Sequence, residues 1–120
     1  NGTTIRPEGR SEDFVKIFGE GVSLLKLDQT LEMVLASMKI KNPEQYALVA
    51  APDERSGAKI VLLLGDANTE AKTILDLIRS FDQKVNPYEK IKEHHFVEEI
   101  PRSSLGKLLR KKLLDQLIRS

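Results

Sequence analysis

The residues of this chain placed to do chemistry lie near its end, in Pro101-Arg102-Ser103-Ser104-Leu105-Gly106-Lys107. Pro101 has no backbone donor and holds the residue before it in extended geometry, so the strand-like run over 91–100 is expected to stop at Ile100. Ser103 and Ser104 suit a turn or a helix cap, and Gly106 lets the backbone come close to another group. Lys107 is then a long cation at the tip of a loop held between two ordered elements, where it can be delivered into a partner's site.

Other chemistries fit less well. His94 and His95 are the two histidines; neighbours on a strand point to opposite faces, so one is expected inward and one outward, and they cannot share a metal easily. With no cysteine and no third histidine there is no zinc ligand set, and no metal site is assigned. Asp53, Glu54 and Arg55 belong to a solvated turn. The basic stretch from Arg102 onward carries one acid, Asp115, but no interleaved aromatics, so it is not read as a nucleic-acid platform.

Several elements must position the lysine. Residues 14–18 are aromatic and β-branched and predict a short strand. Gly19-Glu20-Gly21 reads as a tight turn, and 22–24 as the returning strand of a hairpin. Leu27, Leu31, Val34, Leu35 and Met38 recur at helical spacing and predict a helix over 25–38. The apolar runs 46–51 and 59–64, joined by a turn cluster, predict two strands whose faces are both covered. Ile74, Leu75, Ile78, Phe81 and Val85 predict a helix over about 69–84, ended by Asn86-Pro87. Ile91, His95 and Val97 belong to a third strand, and Leu105, Leu108, Leu109, Leu113, Leu114, Leu117 and Ile118 to a final helix. The fold class that follows is α+β: a small three-stranded sheet with flanking helices plus an N-terminal two-stranded hairpin.

Composition bounds the rest. The 120 residues suffice for one domain with a modest core. A net charge of +1 announces neither nucleic acid nor membrane surface as partner, and no apolar run is long enough for a membrane span. The absence of cysteine fits the cytoplasm. The chain starts with Asn1-Gly2 and without a methionine, as expected of a piece of something larger or of a processed product.

Two motifs carry a resemblance. The segment Phe96-Val97-Glu98-Glu99-Ile100-Pro101-Arg102-Ser103-Ser104-Leu105-Gly106-Lys107-Leu108-Leu109-Arg110 resembles the last motif of the adenylate-forming superfamily, which includes acyl- and aryl-CoA synthetases. Ser103 stands where Thr is usual and Leu105 where Ser is usual. About a hundred residues earlier, Gly9-Arg10-Ser11-Glu12-Asp13-Phe14-Val15-Lys16-Ile17-Phe18-Gly19 is similar to that superfamily's hinge motif.

The resemblance implies that residues 1–8 are a linker from an N-terminal adenylation domain outside this chain, and 9–120 the C-terminal mobile (lid) domain. It implies that Lys107 is the catalytic lysine of adenylate formation, supported by Pro101 and Gly106. Glu12 falls on the hinge and Arg10 on the arginine that approaches the nucleotide. Gly19, Glu20 and Gly21 fall on the loop that enters the site for thioester formation, Gly21 where Arg is frequent. ATP and magnesium, bound mainly by the N-terminal domain, and CoA as co-substrate follow, with a carboxylate as the group activated. The isolated chain is expected to be inactive. Three other readings stay open: the lid of a carrier-protein-loading adenylation domain, a stand-alone interaction module of the same fold, and a basic-helix nucleic-acid binder.

Overall fold

The computed structural model describes residues 14–119. Arg10, Glu12 and the linker expected at 1–8 therefore lie outside the described residues. In chain order the elements are β1 (Phe14–Ile17), β2 (Glu20–Ser23), α1 (Leu24–Ser37), β3 (Tyr46–Asp53), β4 (Gly57–Leu64), α2 (Ala71–Asp82), β5 (Ile91–Phe96) and α3 (Arg110–Arg119). This is the expected α+β order, with β1 and β2 forming a hairpin and the other strands a sheet of order β3-β4-β5. β3 and β4 are antiparallel; β5 joins β4 parallel, after the crossover through α2.

The apolar runs of β3 and β4 are explained by helices on both faces. Alternate residues point to opposite sides. Tyr46, Leu48, Ile60, Leu62 and Leu64 bury into one cluster with Leu27, Leu31 and Val34 of α1 and Ile74, Leu77 and Phe81 of α2. Ala47, Val49, Val61 and Leu63 face the other way, against Leu113 of α3, with Ile100 and Leu108 packed beside them. Ser23 starts α1: its backbone is extended and its hydroxyl accepts the Lys26 N–H at 3.2 Å, satisfying one orphan donor of the first turn.

Four expectations are corrected. β5 ends at Phe96, not Ile100: its partner β4 stops at Leu64, whose carbonyl accepts the Val97 N–H, and among the described residues no strand lies beyond. His94 and His95 are both exposed, because only Ile91 of this edge strand is buried. The last helix begins at Arg110, so Leu105 and Leu108 precede it. The hairpin turn is Phe18-Gly19 alone, since Ile17 pairs with Glu20 and Lys16 with Gly21, which places Glu20 and Gly21 in β2.

That turn has positive φ at both central residues, 53° at Phe18 and 79° at Gly19, the twist that matches a two-residue hairpin. Glycine takes it without strain, but phenylalanine does not. Phe18 is 63% exposed and buries little in return, while its backbone N–H donates to Ser56 O at 2.7 Å and ties the turn to the β3–β4 connection. Phe18→Asn keeps that backbone bond and suits the left-handed site. It is expected to stabilise the domain by about 1 kcal/mol in urea unfolding; a lower midpoint would mean that the aromatic ring makes a stabilising contact.

Candidate functional site

The segment 101–109 is a closed loop with its own hydrogen bonds. Leu109 N–H donates to Pro101 O at 2.9 Å and closes its base, above which Arg102 and Leu108 form an isolated antiparallel bridge. Ser103 N–H donates to Lys107 O at 2.8 Å, and Gly106 N–H to Ser103 O at 2.9 Å. The Ser103 hydroxyl accepts from Lys107 N–H at 3.1 Å and from Leu105 N–H at 3.3 Å. Ser in place of Thr thus keeps the group that matters, an acceptor that can hold the lysine's own amide. Gly106, with φ +88°, supplies the left-handed residue that turns the chain.

The loop is fastened to the domain at several points. Leu108 and Ile100 pack against the second apolar cluster. Arg102 reaches across to the start of β3 and the helical turn before it, its Nη2 donating to Glu44 O at 3.2 Å and Tyr46 O at 3.4 Å. Its Nη1 lies 3.5 Å from Gly106 O. At the loop's exit Arg110, with a side chain only 10% exposed, pairs with Asp28 of α1 at 2.5 Å. Lys107 itself is exposed. It lines a groove of about 680 Å³ between the loop, α1 and the start of β3, together with Asp28, Glu32, Tyr46 and Arg102.

Cations cluster at the loop's exit. Arg110, Lys111 and Lys112 fill the first turn of α3, where no acid sits to offset the positive end of the helix dipole. Arg110 is matched by Asp28, whereas Lys107, Lys111 and Lys112 are exposed. The histidines take no part: His95 Nε2 contacts Glu93 Oε1 at 2.9 Å on the outer surface, where Lys59 also pairs with Glu93. The Lys59 ammonium, then His95, hold the Glu93 carboxyl below the usual carboxylate range. Among the described residues no three His, Cys, Asp or Glu side chains gather into a metal-binding group, and no helix is long and apolar enough to cross a membrane.

The structure separates the two sets of expected site residues. Arg102 fastens Lys107's loop to Tyr46, at the start of β3, while Phe18 ties the turn of Gly19 to Ser56, just past its end. β3 has eight residues, so the two attachments are roughly 23 Å apart at ~3.3 Å per step.

No family model matches the chain. The Arabidopsis thaliana protein 4-coumarate–CoA ligase-like 9 is 33% identical over 111 residues, 86% of this chain and 19% of that protein. The 3-methylmercaptopropionyl-CoA ligase of Ruegeria lacuscaerulensis is 26% identical over 119 residues, 94% of this chain and 21% of that one. Among solved structures, an acyl-CoA synthetase (AMP-forming)/AMP-acid ligase II-like protein from Dyadobacter fermentans shares the fold. Its TM-score is 0.75 at 24% identity, covering 90% of this chain and 30% of that one. The homologues of this chain are CoA ligases, and they match most of its length.

The chain spans about a fifth of the length of these curated relatives. Its lysine loop was visible in the sequence, but the fastenings were not. The Arg102 contacts bridge 56 and 58 positions, and no local pattern announces them. Arg110 did leave a signal: it precedes Leu113 by one helical turn, so a cation there faces the core and calls for a buried acid.

Removing the guanidinium strips the half-buried Asp28 of this cation. Arg110→Met is expected to destabilise the domain by roughly 3 kcal/mol, and Asp28→Leu with Arg110→Met to recover more than half of that. Chemical denaturation of the parent and the two variants checks it; a loss under about 1 kcal/mol in Arg110→Met would rank the pair with ordinary surface bridges.

Proposed function

We propose that this domain is the mobile C-terminal domain of an ATP-dependent carboxylate–CoA ligase, and that Lys107 is its adenylation lysine. The supporting observation is the placement of an exposed cation on a braced loop, at the opposite end of the sheet from the hairpin turn. The family relationship supplies the reaction class. The carboxylate oxygen attacks the α-phosphorus of ATP; the bond to pyrophosphate breaks, leaving acyl-adenylate and pyrophosphate. A CoA thiol then attacks the acyl carbon, giving its proton to solvent or a base, and AMP departs as the thioester forms.

Lys107 serves the first step. Carboxylate and α-phosphate are both anionic, and their approach is repulsive until a cation sits between them. An oriented charge in a site that excludes water is worth on the order of 3–4 kcal/mol, or ~100–1000-fold in rate. Lysine brings it as a compact point charge on a long stem. In the second step the lysine loop withdraws and the turn at Gly19, with Glu20 and Gly21 behind it, faces the thiol. Glu12 serves as the hinge of that rotation and Arg10 as a nucleotide contact, both on the strength of the motif they share with the superfamily. The phosphate loop, acyl pocket and magnesium belong to the N-terminal domain in this reading, so the isolated 120-residue chain does not exchange pyrophosphate into ATP.

In the full-length protein carrying this chain, Lys107→Ala is expected to slow acyl-adenylate formation by ~100-fold or more. Thioester formation from preformed acyl-adenylate stays near the parent rate. The exposed side chain contributes little burial, so the melting temperature holds. An unchanged adenylation rate with an intact fold would overturn the proposal.

A further inference from the structure

Lys107 needs more than a charge; it needs a direction, and the loop's internal bonds do not provide one. The links Leu109–Pro101, Gly106–Ser103 and Ser103–Lys107 fix the loop's shape, but all lie within residues 101–109, which could swing as one body about the loop's base. Leu108 and Ile100 hold that base against the sheet. The described hydrogen bonds that tie the loop's outer part to the sheet come from one side chain, Arg102.

Its geometry is specific. The Gln45 carbonyl is already taken, accepting Gly65 N–H at 2.8 Å. Arg102 Nη2 takes the carbonyls on either side of it, those of Glu44 and Tyr46. Nη1 points to the carbonyl of Gly106, the residue immediately before the lysine. A planar guanidinium reaches both ends of that span at once, whereas an ammonium concentrates its donors at one point. Tyr46 is buried and heads the edge strand β3, so the anchor is a rigid part of the sheet.

We infer that Arg102 is a positioning residue, which aims Lys107 by stapling the carbonyl of Gly106 to the start of β3. This rests on the adenylation role proposed for Lys107. It predicts an effect on one half-reaction only, because Arg102 acts through the lysine and not on the fold or on the thiol step.

The experiment compares Arg102→Met, Arg102→Lys, Lys107→Ala and the Arg102→Met, Lys107→Ala double variant in the full-length protein. Arg102→Met is expected to lower kcat for acyl-adenylate formation by ~10–100-fold, the effect of a small misplacement, with KM for ATP and carboxylate within about twofold. Thioester formation from preformed acyl-adenylate and the melting temperature stay near those of the parent. Arg102→Lys recovers part of the loss. In the double variant Arg102→Met adds nothing to Lys107→Ala, since an aim has no value without the charge. Equal loss in both half-reactions, a loss that adds fully to that of Lys107→Ala, or no loss at all would each overturn the inference. A normal adenylation rate in Lys107→Ala would instead overturn the function proposed for the lysine. Loss there beside an unaffected Arg102→Met would remove only the staple.

Discussion

The constraint on which this domain depends is a two-stranded ribbon, β3 and β4, that is apolar on both faces. A sheet of that kind is stable only when covered twice. The helices α1 and α2 and the β1–β2 hairpin cover one face, but the second face needs α3. Leu113, fully buried, is the side chain of α3 that closes it, and burial of such a leucine is worth about 1.5–3 kcal/mol. To bring α3 there, the chain must leave β5 and pass round the end of the sheet where β3 begins. The segment that makes this passage contains Lys107. Its backbone needs partners, and it finds them in the Ser103–Lys107 turn and the Arg102 bonds. The loop that carries the candidate chemistry is thus also the connection that completes the core.

The same ribbon sets the distance between the lysine loop and the hairpin turn. Antiparallel strands of eight residues each put the β3–β4 turn, against which the hairpin turn rests, far from the start of β3. The hairpin turn is braced by a backbone hydrogen bond and the lysine loop by the Arg102 side chain, so neither bends toward the other. A rigid body with two working ends can present them to one site only by rotating as a whole. In the proposed ligase this links the fold to the order of the reaction: the cation is needed while two anions meet, and its removal makes room for the thiol.

Much of this was legible from residue pattern. The near-continuous apolar runs around Leu48 and Leu62 signalled a sheet covered on both faces, and the 3.6-residue spacing of Leu27, Leu31 and Val34 signalled α1. The errors have local causes. Leu105 and Leu108 prolong the helical spacing of Leu113 backwards, yet Gly106 at positive φ and the Ser103 hydroxyl favour a turn, so the helix waits until Arg110. The histidine pair obeyed the alternation of a strand, but on an edge strand that buries only Ile91 alternation does not decide burial. Glycine at both 19 and 21 suggested a tight turn over 19–21, whereas pairing of Ile17 with Glu20 leaves room only for residues 18 and 19. The contacts of Arg102 lay beyond any local pattern, because they are made by tertiary proximity alone.

The account's central claim is that the two ends of the sheet serve one active site in turn. Distance measurement between spin labels tests it most directly. In the full-length protein, one label is fixed beside the adenylate site of the N-terminal domain, and a second is placed at Ser104→Cys or at Glu20→Cys. With ATP and a carboxylate that halts before adenylate formation, the label at 104 should lie close and the label at 20 far. With a stable acyl-adenylate analogue and CoA the two distances should exchange. Distances that stay the same in both states, or that shorten together, would contradict the claim.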